Sequence, residues 1–98
     1  MFYLATIVHS ARKCPGIESE TFKEFIGKFS PAKLEKAQIR FLGAYIDHSC
    51  LTGKVGKEHV TTFALEAESM AKVKEAFGPI AADIRQVVSW DSATRITK

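Results

Sequence analysis

Two short stretches carry the chain's reactive side chains. His9-Ser10 is followed by Cys14, and His48-Ser49 is followed at once by Cys50. Together they hold both cysteines and two of the three histidines. Thiol and imidazole are the side chains most often recruited as ligands, nucleophiles and proton carriers near neutral pH. His48, Cys50 and His59 form a possible metal set, which zinc would accept with a fourth group or a water. The spacing His-x-Cys-x8-His matches no standard zinc motif, so polar residues closing a hairpin are the simpler reading. Cys50 is then a small buried apolar residue. His9 sits where a strand enters a loop, and a histidine bonded to a carboxylate can act as a general base. Its plainer role is to bond loop backbone and order Cys14-Pro15.

These residues are positioned by the elements around them. Residues 2–9 (FYLATIVH) are β-rich and apolar on both faces, as a central strand is. Residues 10–18, with Cys14-Pro15-Gly16, read as a loop. Ser19 is an N-cap candidate, and Phe22, Phe25, Ile26 and Phe29 follow at i, i+3, i+4 and i+7, a core-facing helical stripe. Ser30-Pro31 restarts a short helix bearing Leu34 and Ala37. Residues 40–48 form strand two, SCLTGKVGKE a long hairpin loop, and 59–67 strand three. Ser69 caps a helix with Met70, Val73 and Phe77, ended by Gly78-Pro79. Residues 84–91 form strand four, followed by a polar tail to Lys98.

The chain has 98 residues, 46% of them hydrophobic and 26% charged, with a net charge of +3. That suits one globular domain over 1–98 with one modest core. No apolar run approaches the roughly 20 residues of a membrane helix. The start MFYLATIV has no basic leader and reads as a strand, not a signal peptide. Two cysteines without a secretion signal imply free thiols in a reducing, cytoplasmic setting. The lysines are interleaved with acids on the helices, as on solvated helix faces, and this argues little for nucleic acid.

The order β-α-β-β-α-β implies an α+β, ferredoxin-like sandwich. The expected sheet has four strands in the order 4-1-3-2, antiparallel except for the central pair, with both helices on one face. The other face is apolar too, and so large a patch marks a partner surface. Two such sheets packed face to face would form a homodimer. The order of elements, the break after the first helix and the segment EHVTTFALEAES resemble the dimeric α/β-barrel superfamily. More narrowly, the His-Ser-x-x-x-Cys-Pro-Gly loop with that third strand resembles a branch of small proteins without an assigned activity. The superfamily includes cofactor-free monooxygenases, isomerases, dehalogenating and haem-degrading enzymes, and plain ligand binders, and fold alone does not choose among them. The Asn…Trp…His pattern of the haem-degrading members is not recognisable, since Trp90 stands alone.

Period-two alternation pairs His48 with His59, Ile46 with Thr61, Ala44 with Phe63 and Leu42 with Leu65. The alternate face, with Phe41, Tyr45 and Asp47 against Val60, Thr62 and Glu66, mixes aromatic and polar groups as a ligand cavity does. His9, Tyr45 and Glu66 are therefore the catalytic candidates. Tyrosine can donate to a carbonyl, and glutamate can take a proton. Thr6, Phe41, Thr62 and Trp90 are the candidate ligand contacts. Strands one and two are expected to run antiparallel, which puts His9 and Cys14 at one end of the sheet and His48, Cys50 and His59 at the other. Glu66, Arg85 and Gln86 are expected near His9, and a Cys14–Cys50 disulfide is not.

These features point to a dimer that binds a small apolar or aromatic molecule, with cofactor-free acid–base or oxygen chemistry open and no cofactor required. The alternatives are a regulatory or assembly domain without chemistry, and a metal or thiol site at the hairpin end. An RNA-binding module of the same strand order would need aromatics patterned as in RRM domains. HVTTFALEA has one phenylalanine and no glycine, so neither nucleic acid nor membrane is an expected partner.

Overall fold

A computed structural model describes residues 1–14, 16, 19–52 and 56–96. Four strands, β1 (Phe2–Ser10), β2 (Arg40–Ile46), β3 (Glu58–Glu66) and β4 (Asp83–Val87), form one sheet. Its order is β2-β3-β1-β4, equivalently β4-β1-β3-β2 from the opposite edge. β1 hydrogen-bonds to β3 on one side and β4 on the other. Only its odd residues are buried, while Leu4, Thr6 and Val8 on the other face are half-buried. The protein is thus α+β, with an open antiparallel sheet.

Strand direction corrects the expectation. Every neighbouring pair is antiparallel, the central one included. β1 and β2 both run against β3, so they run parallel to one another. Their C-terminal ends lie at the same end of the sheet, not at opposite ends.

The odd residues of β1 (Tyr3, Ala5, Ile7) and of β3 (Phe63, Leu65) are buried in the core. Three helices, α1 (Glu20–Lys28), α2 (Pro31–Lys36) and α4 (Met70–Phe77), supply the rest together with Ile39 and Ala67 from the connections. The core contains Phe29, Leu34, Val73 and Phe77 from these helices and their caps. Phe29 stacks on Phe77 with centroids 4.7 Å apart, and Phe63 packs against both with its ring tilted by 56–57°. Ser19 Oγ accepts the Phe22 N–H (3.1 Å) and Ser30 Oγ the Lys33 N–H (3.3 Å), which fixes where α1 and α2 begin. α1 itself buries no residue fully. Phe22 and Phe25 are half-buried and Ile26 is exposed, so the Phe22–Phe29 stripe is a core face only at its end.

α2 ends in a Schellman arrangement. The Ile39 N–H donates to Leu34 O and the Gln38 N–H to Glu35 O, both at 2.9 Å. Gln38 stands at φ +64°, where a glycine carries no Cβ penalty. Gln38→Gly is therefore expected to stabilise the fold by roughly 0.5–1 kcal/mol. A higher denaturant midpoint with an unchanged slope would confirm it.

Four local features depart from the sequence reading. Ile46–Thr61 and Ala44–Phe63 pair directly, but a bulge between Phe41 and Gly43 places Phe41, not Leu42, opposite Leu65. Phe41 therefore packs on the helix-side core beside Phe63, and Leu42 turns outward. One turn of helix, α3 (Ser49–Thr52), interrupts the hairpin loop. β4 stops at Val87, and α5 (Trp90–Ile96) replaces both the end of strand four and part of the polar tail. Ser89 Oγ accepts the Ser92 N–H at 3.0 Å and starts that helix. Pro15, 17–18, 53–55 and 97–98, which belong to the expected loops and tail, lie outside the described residues. Among the described residues no helix is long and apolar enough to cross a membrane.

Candidate metal centre

His9 and His59 are direct cross-strand partners on β1 and β3. Both fall in the inward-facing register, continuing the rows of Ile7 and Thr61. Their rings meet edge to face, with centroids 5.1 Å apart and planes at 81°. His59 is fully buried.

Two backbone devices bring the cysteines to this pair. β1 runs into a 3-10 turn over Ala11–Lys13, whose Ala11 N–H donates to Lys57 O at 3.0 Å. The Cys14 N–H closes the turn on Ala11 O at 3.3 Å, and Cys14 is buried. On the other side, Asp47 anchors α3. Its Oδ1 accepts the Ser49 N–H (2.9 Å) and its Oδ2 accepts the Val60 N–H (3.1 Å). One carboxylate thus ties α3 to the start of β3, and the buried Cys50 side chain is held against the two histidines.

Cys50 Sγ lies 3.4 Å from His59 Nδ1 and 3.7 Å from His9 Nε2. One donor atom each from His9, Cys14, Cys50 and His59 lies within 4.8 Å of all the others. A tetrahedral zinc with Zn–S of about 2.3 Å and Zn–N of about 2.0 Å separates its donors by about 3.3–3.8 Å. The Cys50–histidine distances already match, and the remaining separations need a contraction of about 1.5 Å at most.

The environment divides the two thiols. Burial pushes Cys14 up, but hydrogen bonds to its thiolate from the Gly16 backbone, His59 and Cys50, with the charge on His59, leave it below its ordinary value. Burial first, then the neighbouring Cys14, raises Cys50 to about 11. A cation between them would remove that opposition, since a coordinating thiol is deprotonated outright. Burial and the His59 charge lower His9, against a smaller opposite effect of Asp47. The backbone N–H groups of Ser49 and Val60 hold Asp47 below the usual carboxylate range.

A histidine lowered in the fold binds fewer protons than in the unfolded chain below about pH 6.5. His9 thus leaves stability intact above that pH and erodes it as the pH falls. The thermal midpoint of the metal-free protein is expected to drop between pH 7 and pH 5. Replacing His9 with glutamine should flatten that part of the profile, which unfolding scans at a series of pH values would show.

Compared with protein-family models, curated proteins and solved structures, the chain matches none. The centre is therefore read from its own geometry. Sequence reasoning named Cys50 and His59 as possible ligands and His9 as a possible base, and the structure joins all three with Cys14. It leaves out His48, which is exposed on the turn before α3. The two ends expected to be separate are one site, and the geometric objection to Cys14 meeting Cys50 falls with the corrected strand direction. Both are free thiols.

The other candidates do not converge. Glu66 pairs with Phe2 at the far end of β1, roughly 23 Å along the strand from the His59 position at ~3.3 Å per residue. There it bonds Arg40 at 3.2 Å instead of approaching His9. Arg85 and Gln86 pair with Leu4 and Tyr3, also away from His9. Tyr45, Thr62 and Thr6 form one cross-strand row on the open face, with Tyr45 80% exposed. Phe41 is turned to the opposite face by the bulge, and Trp90 is exposed at the start of α5. No enclosed cavity joins His9, Tyr45 and Glu66 among the described residues.

Proposed function

We propose that this protein binds a single zinc ion through His9, Cys14, Cys50 and His59. The observation that carries the reading is the convergence of two thiols and two imidazoles from four separate segments at one end of the sheet. Two cysteines and two histidines are a donor set that zinc takes in tetrahedral sites, and soft thiolates disfavour magnesium or calcium. Four protein ligands close the coordination sphere, as in sites that hold metal and stabilise a fold. Here the ion would tie the turn after β1 and α3 to the two central strands. Protein prepared without a histidine tag and titrated against a chromophoric zinc chelator tests this. One zinc per chain with a nanomolar or tighter Kd supports the reading, and no binding at micromolar zinc overturns it.

A second reading concerns assembly and follows from the sheet's uncovered face. Tyr45, Leu42, Val60 and Phe2 are exposed there. Val88 and Ser89, just before the exposed Trp90, border a hollow of about 240 Å³ on it. A second copy of the chain packed sheet to sheet would bury this surface, in the ferredoxin-like dimeric arrangement that the order of elements suggests. Sedimentation equilibrium tests it. A dimer that Val60→Lys dissociates supports the reading, and a monomer at every micromolar concentration contradicts it.

A further inference from the structure

A cavity of about 230 Å³ lies between α1 and the sheet, and the cysteine–histidine cluster forms part of its wall. Its apolar lining comes from Ile7, Phe22, Phe25, Ile46 and Ile80. His9, Cys14 and Cys50 close one side, and Lys13 and Thr21 stand at its edge. The two phenylalanines are half-buried on the helix stripe, although a helix at core depth would bury them. They leave apolar surface facing a space that a ring of six to ten heavy atoms would fill, which makes the cavity a small-molecule site more than a packing fault.

The rim carries positive charge. Lys13 is exposed there, and Thr21 belongs to the first turn of α1, whose N–H groups favour an anion. Glu20, the acidic residue of that turn, is engaged by Lys23 at 3.6 Å. The floor offers a carboxylate no positive side chain, and with zinc bound two thiolates and a divalent cation sum to zero. An apolar body inward and an anionic head at the rim is the orientation these charges allow.

We infer that this cavity binds a small aromatic carboxylate, with its ring against Phe22, Phe25 and the metal cluster and its carboxylate beside Lys13. The inference rests on the zinc reading only for its coupling to the metal: zinc would fix the lining residues His9, Cys14 and Cys50 in place, so binding is stronger to the zinc-loaded protein than to the metal-free one. The ligand and the metal are coupled through His9, Cys14 and Cys50, which belong to both sites.

Benzoate is the probe, followed by amide and methyl NMR shifts of the zinc-loaded chain. The expected result is saturable shifts at Phe25 and Ile46 with a Kd of about 1 mM or tighter. Benzyl alcohol and the Lys13→Met variant should each bind about five-fold more weakly, the size of an exposed ion pair. Ile46→Phe, which fills the space, should abolish the shifts. No saturable shift at about 20 mM benzoate overturns the site. Equal binding of benzyl alcohol, or no loss in Lys13→Met, overturns the carboxylate assignment. The same titration on metal-free protein separates the two readings. Binding there, in a chain that takes up no zinc, would refute the metal and keep the cavity.

Discussion

Serine in place of Cys50 is expected to lower zinc affinity about 100- to 1,000-fold. Structural zinc sites release roughly 10–16 kcal/mol on binding, so each of four ligands carries about 3 kcal/mol. A serine hydroxyl is smaller, harder and hardly ionised near neutral pH, and it replaces a thiolate poorly. Cys50 Sγ touches both imidazoles, at 3.4 Å and 3.7 Å, so its loss removes the donor nearest the centre of the set. Cys14→Ser should weaken binding to a similar degree, because the thiolate-favouring contacts at Cys14 are lost with it. His48→Ala is the matched control. His48 is exposed and outside the cluster, so its removal should leave zinc affinity within about two-fold. Competition titrations of the three variants against one chelator would rank them. A His48 variant as weak as the cysteine variants would move the site to the exposed side of the hairpin.

Zinc should also raise the thermal midpoint by about 15–30 °C. A ligand bound only by the folded state, at about 1,000 times its Kd, stabilises by about 4 kcal/mol. For a domain of 60–100 residues each kcal/mol moves the midpoint by about 4–8 °C. Two of the ligands, Cys14 and Cys50, lie on short segments that few other contacts hold, and the metal would tie them to the central strands that carry His9 and His59. The turn after β1 is anchored by Ala11 to Lys57, and α3 is anchored chiefly by Asp47. A chelator should reverse the rise completely. Acid should reverse it too, because the ligands must shed their protons to bind. A midpoint that does not respond to zinc, in a protein shown to bind it, would mean that the metal sits on the surface and not between these segments.

Much of the fold could be read from residue patterns, and the site could not, for a definite reason. The helical stripe of α1, the caps Ser19 and Ser30 and the central place of β1 are local signals, and local signals survive folding. Whether β1 and β2 run parallel is a property of the whole sheet. Taking them as antiparallel sent His9 and Cys14 to one end and Cys50 and His59 to the other, though the residues themselves had been singled out. One strand direction thus split a single centre into two unremarkable halves. His9 opposite His59 follows from counting down β1 and β3 once that direction is right.

Smaller features were hidden by shorter-range effects. The bulge after Phe41 leaves the Ala44–Phe63 pairing intact and flips only the residues before it, so alternation fails exactly where Phe41 matters. α3 is one turn long and leaves no periodic trace, although Asp47 before Ser49 is a cap signal that could have placed it. Ser89 before Trp90 carries the same signal for α5, inside a run whose β-rich residues favour a strand. Gln38 at positive φ carried no signal, since glycine or asparagine is the residue that marks such a turn.

X-ray absorption at the zinc edge of the loaded protein tests the central claim most directly. Coordination by Cys14, Cys50, His9 and His59 requires two sulfurs at about 2.3 Å and two nitrogens at about 2.0 Å, with imidazole scattering beyond the first shell. A shell of oxygen and nitrogen alone, or one holding a single sulfur, would contradict it.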